Sequence, residues 1–288
     1  MRDAPAQSSA LLSMDKVSLS FGDKRVLDDL SFSVAPGECF GLLGPSGAGK
    51  TTTLKLLTRQ LVCDAGQIEL FGSDIAQASE TAWRRIGILS DTSALYERMS
   101  IEANLRFYAK IRGVDARIVP KLLGRMGLTD DRKTLIKNCS KGMRQRATLA
   151  ATLIHKPALL FLDEPTSGLD PATRADVHDL LSELKRGGTT VFLTTHDMAE
   201  ADALCDRVGI LCDGRLVACD APEMLSLRFA KNEIVMRTSD GRVHHLTKDA
   251  ASARTIAAAL EDGTCLSLHS IEPNLEDVFL QLTGRSLR

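Results

Sequence analysis

With 288 residues, the chain is long enough for one large buried core with a small appended unit, or for two modest domains. Its 44% hydrophobic and 25% charged residues are those of an ordinary globular protein, and a net charge of -1 excludes a global basic field aimed at nucleic acid or anionic lipid. Apolar runs such as Ala158–Leu162 and Val191–Leu193 are strand-sized and far short of a membrane span.

The first residues show no cationic start followed by a continuous apolar stretch, so residues 1–13 read as a loose tail and not as a signal peptide. From Val17 to Val34 the pattern alternates loosely and breaks at Gly22-Asp23, which predicts strands joined by a turn. Cys39–Leu43 is a short apolar strand, followed at once by a glycine-rich loop. Thr51–Leu61 reads as a helix with Leu54, Leu56, Leu57 and Leu61 largely on one face. Ile86–Leu89 is another short strand, and Ser100 to about Lys156 reads as mainly helical, punctuated by Gly113, Gly127 and Ser140. Leu159–Leu162 and Val191–Thr195 are apolar strands separated by a helix with Asp170 as N-cap, Pro171 at its first position and Gly187-Gly188 after it. Strands that are apolar throughout and alternate with helices indicate an α/β fold whose mainly parallel sheet is covered on both faces.

After about Leu225 the texture changes. Glu233–Arg237 and Arg242–Leu246 flank Asp240-Gly241 as a hairpin. A helix at Ala250–Leu260, a strand near Leu266–Leu268 and a helix from Asn274 follow, giving a small α/β appendage. The seven cysteines contain no CxxC pair. Cys205, Cys212 and Cys219 share a seven-residue spacing, but Gly209 and Asp213-Gly214 interrupt any helix that would align them. Reduced, mostly buried thiols of an intracellular protein are the expectation.

Gly44-Pro45-Ser46-Gly47-Ala48-Gly49-Lys50-Thr51, with Thr52 following, fits G-x-x-x-x-G-K-[ST] between a strand and a helix. Glycines let the backbone wrap a phosphate closely, and the helix start adds N–H donors and a positive dipole end. Lys50 is placed to reach the β- and γ-phosphates of ATP, and the Thr51 hydroxyl to ligate Mg2+. In Leu159-Leu160-Phe161-Leu162-Asp163-Glu164, Asp163 emerges at a strand end to hold Mg2+, and Glu164 is placed to polarise an attacking water. An Asp-Glu pair after an apolar strand is commonly just a solvated strand end. The phosphate loop upstream tips the balance to chemistry.

Between those motifs lies Cys139-Ser140-Lys141-Gly142-Met143, followed by Arg144-Gln145-Arg146, which resembles the LSGGQ signature of ABC ATPases. Ser167-Gly168-Leu169-Asp170 is similar to their D-loop, and His196, at the end of the next strand, to their switch histidine. The resemblance runs from Met14 to about Leu225 with every motif in family order. It implies a P-loop NTPase with a RecA-like ABC ATPase core over residues 14–224, comprising a mainly parallel sheet, an antiparallel β edge and a helical subdomain at about 92–150. Residues 225–288 then form the accessory α/β domain.

The resemblance also assigns roles. Ser140 caps a helix beginning near Gly142, whose start faces the γ-phosphate held by a second nucleotide-binding domain, in a homodimer by expectation. Lys141 is a surface side chain there, Met143 completes the signature, and Arg144 and Arg146 read equally as a solvated face. Asp170 belongs to the D-loop, and His196 contacts the γ-phosphate. Phe21 stands where the family stacks an aromatic on adenine, although a side chain packed in the strand core is the other reading. Two departures stand out. Asp91, after Ile86-Gly87-Ile88-Leu89-Ser90, replaces the family's Q-loop glutamine and is a candidate Mg2+ ligand. The signature carries Cys139 for leucine and Lys141 for glycine.

The implied partner is a separate membrane permease, contacted by Asp91 to about Phe107, including Leu95-Tyr96-Glu97-Arg98, unless those residues are simply surface. The segment Ile271–Leu280 with Leu282–Arg285 resembles the ending of bacterial drug- and peptide-exporting ATPases that pair with ABC-2-type permeases. That resemblance implies a peripheral protein on the cytoplasmic face of a bacterial membrane. An importer ATPase and an ATP-binding regulatory protein with weak hydrolysis are the alternatives. The DNA-repair relatives are excluded, because Lys50 to Ser140 leaves no space for their coiled coil.

Overall fold

The computed structural model describes residues 10–90 and 93–285. Asp91 lies outside them. In chain order, β1 (Leu12–Phe21), β2 (Lys24–Val34) and β3 (Cys39–Leu43) precede helix α1 (Lys50–Leu57). Next come β4 (Ala65–Leu70), β5 (Ser73–Asp74), α2 (Glu80–Trp83) and β6 (Ile86–Leu89). Helices α3 (Ile101–Ile111), α4 (Val119–Arg125) and α5 (Lys141–Leu153) follow. The unit closes with β7 (Leu159–Asp163), α6 (Pro171–Arg186), β8 (Thr190–Thr195), α7 (Met198–Leu204), β9 (Arg207–Cys212) and β10 (Arg215–Asp220).

Two sheets form this first unit, which runs to Cys219. One is antiparallel, in the order β2-β1-β4-β5, and the other has the order β10-β9-β3-β8-β7-β6. Within the second, β3 pairs in parallel with β8 and β9, and β7 with β6 and β8. The buried strands β3 and β8 carry apolar residues on both faces because helices or the other sheet cover each side. An aromatic column joins the two sheets: Phe32 stacks on Phe40 at 5.1 Å and on Phe192 at 5.8 Å, and Phe161 meets Phe192 edge-on at 5.8 Å.

Register decides where chemistry collects. Leu43 lies beside Thr195, and Asp163 beside Thr194, so the C-terminal ends of β3, β7 and β8 open on one sheet edge. Open α/β sheets bind ligands at that edge, where loops lead into helix N-termini.

Differences from the expected elements have local causes. Helix α1 ends at Leu57 and not Leu61, because Arg59 adopts φ 59°, a left-handed conformation that ends an α-helix. Strand β1 begins at Leu12, fully buried between Val34 and Leu70, so ordered structure starts before Met14. The units divide between Cys219 and Asp220, ahead of 224/225, since Pro222 starts a short helix that belongs to the second.

That second unit contains α8 (Pro222–Arg228), β11 (Glu233–Thr238), β12 (Val243–Thr247), α9 (Ala250–Glu261), β13 (Cys265–Ser270) and α10 (Leu275–Thr283). Its antiparallel sheet has the order β12-β11-β13. Helix α10 carries a capping box of Asn274 and Asp277, buries Leu275, Val278 and Phe279, and ends on Gly284 with φ 65°.

Candidate functional site

The phosphate loop connects β3 to α1. Helix α1 begins after Gly49, which has φ 113° and no side chain to cap the helix, so the first N–H groups of α1 have no side-chain acceptor. A Cβ on Gly49 would lie 2.7 Å from Leu27 Cδ2, and one on Gly44 would collide with the Leu211 carbonyl oxygen. Packing against backbone therefore requires glycine at Gly44, and the left-handed φ of 113° favours it at Gly49. Ala48 N–H donates to the Pro45 carbonyl at 3.2 Å, which curls the loop back on itself. Lys50 folds over the same curl, donating from Nζ to the carbonyls of Gly44 at 2.7 Å and Pro45 at 3.2 Å. Burial pushes its ammonium below the ordinary lysine value, while the charges of Glu164 and Asp163 pull it back up.

A cavity of about 240 Å³ is lined by Ser46, Gly47, Gly49, Lys50, Thr51 and Thr52, with Glu164 on its wall. Larger hollows of about 680 and 870 Å³ lie elsewhere and contain none of these residues.

Strand β7 delivers the two carboxylates. Asp163 receives a short hydrogen bond from the Thr194 hydroxyl at one oxygen, and the Thr51 hydroxyl approaches the other at 3.4 Å. Glu164 is left-handed, with φ 44°, while its N–H donates to the Thr194 carbonyl at 3.0 Å. A non-glycine residue in this region costs roughly 1 kcal/mol or more, and such strain concentrates at functional sites. His196, just past β8, places Nδ1 3.0 Å from Glu164 Oε1, the nitrogen donating to the carboxylate. Among the described residues, no three His, Cys, Asp or Glu side chains gather as a metal site. The Thr51 and Asp163 oxygens are hard donors suited to Mg2+, and phosphate oxygens and water would complete its shell.

The architecture has a known family. The ABC transporter family model matches residues 27–167, which span the phosphate loop, the signature and Glu164. A fluoroquinolones export ATP-binding protein of Mycobacterium tuberculosis is 40% identical over 90% of this chain and 87% of its own length. The chain belongs to the ABC transporter ATP-binding proteins. A Nod factor export ATP-binding protein I of Paraburkholderia xenovorans is 37% identical over 97% of this chain and 99% of its own. A linearmycin resistance ATP-binding protein of Bacillus subtilis is 34% identical over 96% and 100%. A solved structure described as the ATP binding subunit of an ABC transporter superposes with a TM-score of 0.69 at 31% identity, covering 76% of this chain and 93% of that one. The fold is accordingly that of a P-loop ABC ATPase, and the chain is an ATP-binding ATPase of this class.

In this ABC ATPase the signature residues form a second cluster, and none of them lines the phosphate-loop cavity. Ser140 caps α5, its Oγ accepting from Met143 N–H at 3.2 Å, and the helix starts at Lys141. Lys141 is exposed, yet its side chain is laid across Gly168, filling the space a Cβ there would need. Gly142 faces Thr173, which the Asp170 carboxylate holds through both its N–H at 3.0 Å and its hydroxyl at 2.7 Å. Those bonds keep the Asp170 carboxyl below the ordinary aspartate range. Arg144 reaches Glu97 and the Ile136 carbonyl, and Arg146 donates to the Met126 carbonyl at 3.0 Å, so neither is a merely solvated cation.

Phe21 ends β1 with 51% of its surface exposed, which removes the reading of a strand-core side chain. Several residues support the site in ways the sequence did not assign. Thr194 anchors Asp163, Gln145 Nε2 donates to the Pro165 carbonyl at 2.6 Å, and Glu200 lies buried beneath the turn that follows Glu164. The polar Thr194-Thr195 ending of an otherwise apolar strand was the available signal for the first.

Proposed function

We propose that this ATPase energises export of a drug, peptide or lipid-like substrate through a separate ABC-2-type permease, on the cytoplasmic face of a bacterial membrane. Among the described residues no helix is long and apolar enough to cross a membrane, so the path is assigned to another polypeptide. The observation that carries the reading is the convergence of Lys50, Thr51, Asp163, Glu164 and His196 on one sheet edge, in a chain whose relatives bear export and resistance names.

Lys50 and the uncapped start of α1 hold the phosphates, within the loop Gly44–Thr52. Thr51 and Asp163 would hold Mg2+, which when bound neutralises phosphate charge; Asp91 is proposed as a further carboxylate ligand. Glu164 accepts a hydrogen bond, and then a proton, from the attacking water. His196 orients Glu164 through its Nδ1 and presents the other ring edge to the terminal phosphate. Phe21 offers its exposed face to adenine. The Ser140–Met143 end of α5 serves the nucleotide held by a second copy, so two ATP molecules sit between paired units, and closure drives the permease.

The test is to purify the full chain carrying Glu164→Gln from membranes with ATP present. A six-helix permease should accompany it, without a solute-binding protein. Recovery of a solute-binding protein would refute export.

A further inference from the structure

Among the described residues, Glu200 is the deepest charged group outside the phosphate site: it is 2% exposed, on the first turn of α7. Its Oε1 accepts the hydroxyl of Thr166, itself 2% exposed, at 2.6 Å. His178 Nε2, from α6, lies 3.4 Å from the same oxygen and hydrogen-bonds no protein group. Glu200 N–H is in turn held by the Asp197 carboxylate at 3.1 Å, and Arg174 of α6 donates to Asp197 at 2.7 Å. Arg174 and His178 stand one turn apart on α6, opposite Asp197, the N-cap of α7, and Glu200; the Arg174–Asp197 ion pair clamps the two helices, and His178 packs beside Glu200.

Thr166 gives this clamp its meaning. It sits in the tight turn after Glu164, where Ser167 N–H donates to the Glu164 carbonyl at 3.2 Å and Leu169 N–H to the Thr166 carbonyl at 3.1 Å. That turn leads into Ser167–Asp170, and the residue before Thr166 accepts from Gln145 of the signature helix at 2.6 Å. On the other side, α7 starts two residues after His196. A single buried carboxylate thus joins the turn carrying Glu164 to the turn carrying His196. An apolar side chain would fill the same space without the cost of burying a charge.

We propose that Glu200 is a positioning residue for hydrolysis, coupling the Ser167–Asp170 loop to the His196 turn so that the two respond together to nucleotide. The proposal rests on the reading of Glu164 and His196 as the hydrolytic pair. Loss of the link misplaces both turns while leaving the phosphate loop, on a different strand, intact. Its signature is therefore a fall in kcat with little change in nucleotide affinity.

The experiment compares Glu200→Ala, Glu200→Gln, Thr166→Val and the double variant Thr166→Val/Glu200→Ala in the full chain. ATP turnover, affinity for a fluorescent ATP analogue, and nucleotide-free hydrogen exchange at Ser167 and Leu169 are read together. Glu200→Ala and Thr166→Val should each lower kcat about 10- to 100-fold and leave affinity within about twofold. The double variant should be no slower than the worse single one. Glu200→Gln, whose carbonyl still accepts from Thr166, should restore most of the rate and normal exchange, whereas Glu200→Ala accelerates exchange at both amides. Wild-type kcat and exchange in Glu200→Ala, additive losses, or a Glu200→Gln as slow as Glu200→Ala would overturn the proposal. Accelerated exchange in a protein whose wild type hydrolyses no faster than Glu164→Gln would support the link and sink the hydrolytic reading instead.

Discussion

The starts of α1 and α5 use similar materials, a glycine beside a helix N-terminus with a hydroxyl close by, and arrange them to opposite ends. Helix α1 is left without a side-chain cap, and its cavity gathers Lys50, Thr51 and Glu164 within one chain. Helix α5 is capped by its own Ser140, and its neighbours are Gly168 and Thr173 of the same chain, not the phosphate loop. One end is complete but unsatisfied, ready for an anion. The other is satisfied by its own cap and lines no part of that cavity, and in the proposed reading it serves the nucleotide held by a second copy. A helix start without a cap is a stability cost that ligand binding can offset, which ties nucleotide affinity to folding.

The largest way to break the contrast is at the loop. Lys50→Ala removes the buried ammonium that bridges the Gly44 and Pro45 carbonyls. We expect turnover to fall by about 100-fold or more. Saturating ATP at 100 times its dissociation constant should stabilise the wild type by about 2.7 kcal/mol, read as a rise in melting temperature, and leave Lys50→Ala unmoved. An equal shift in both proteins would show that the loop does not hold the phosphates.

The signature end gives a smaller effect with a different division. Ser140→Ala should lower turnover about 10- to 100-fold without changing the ATP affinity of the isolated subunit. It also removes the cap, at a cost of about 1 kcal/mol by denaturant titration. Ser140→Gly, a better cap than alanine, should recover most of that stability and none of the turnover. If Ser140→Gly restored both, the hydroxyl would be structural only.

How much of this was legible in the sequence follows from the range of each interaction. The strand, loop and helix around Lys50 are local, and so is the Asp170-Pro171 helix start; both stand where the residues placed them. The end of α1 was not legible, because nothing in the letters reports the left-handed Arg59. The short α8 has only seven residues, too few to show a helical period. The family resemblance gave His196 only a γ-phosphate contact; its pairing with Glu164 was not legible, since the two are 32 residues apart and meet only through parallel β7 and β8. Glu200 carried no signal in the sequence. Its burial depends on the packing of α7 against α6 and on Thr166, 34 residues upstream. Lys141 is the surface lysine the sequence suggested, but its course along Gly168 was not legible.

The most direct test of the account is steady-state ATP hydrolysis by the purified full chain beside Glu164→Gln, with ATP binding measured on the same samples. The account predicts equal binding and a wild-type rate about 100-fold or more above the variant. Equal rates in the two proteins would contradict it.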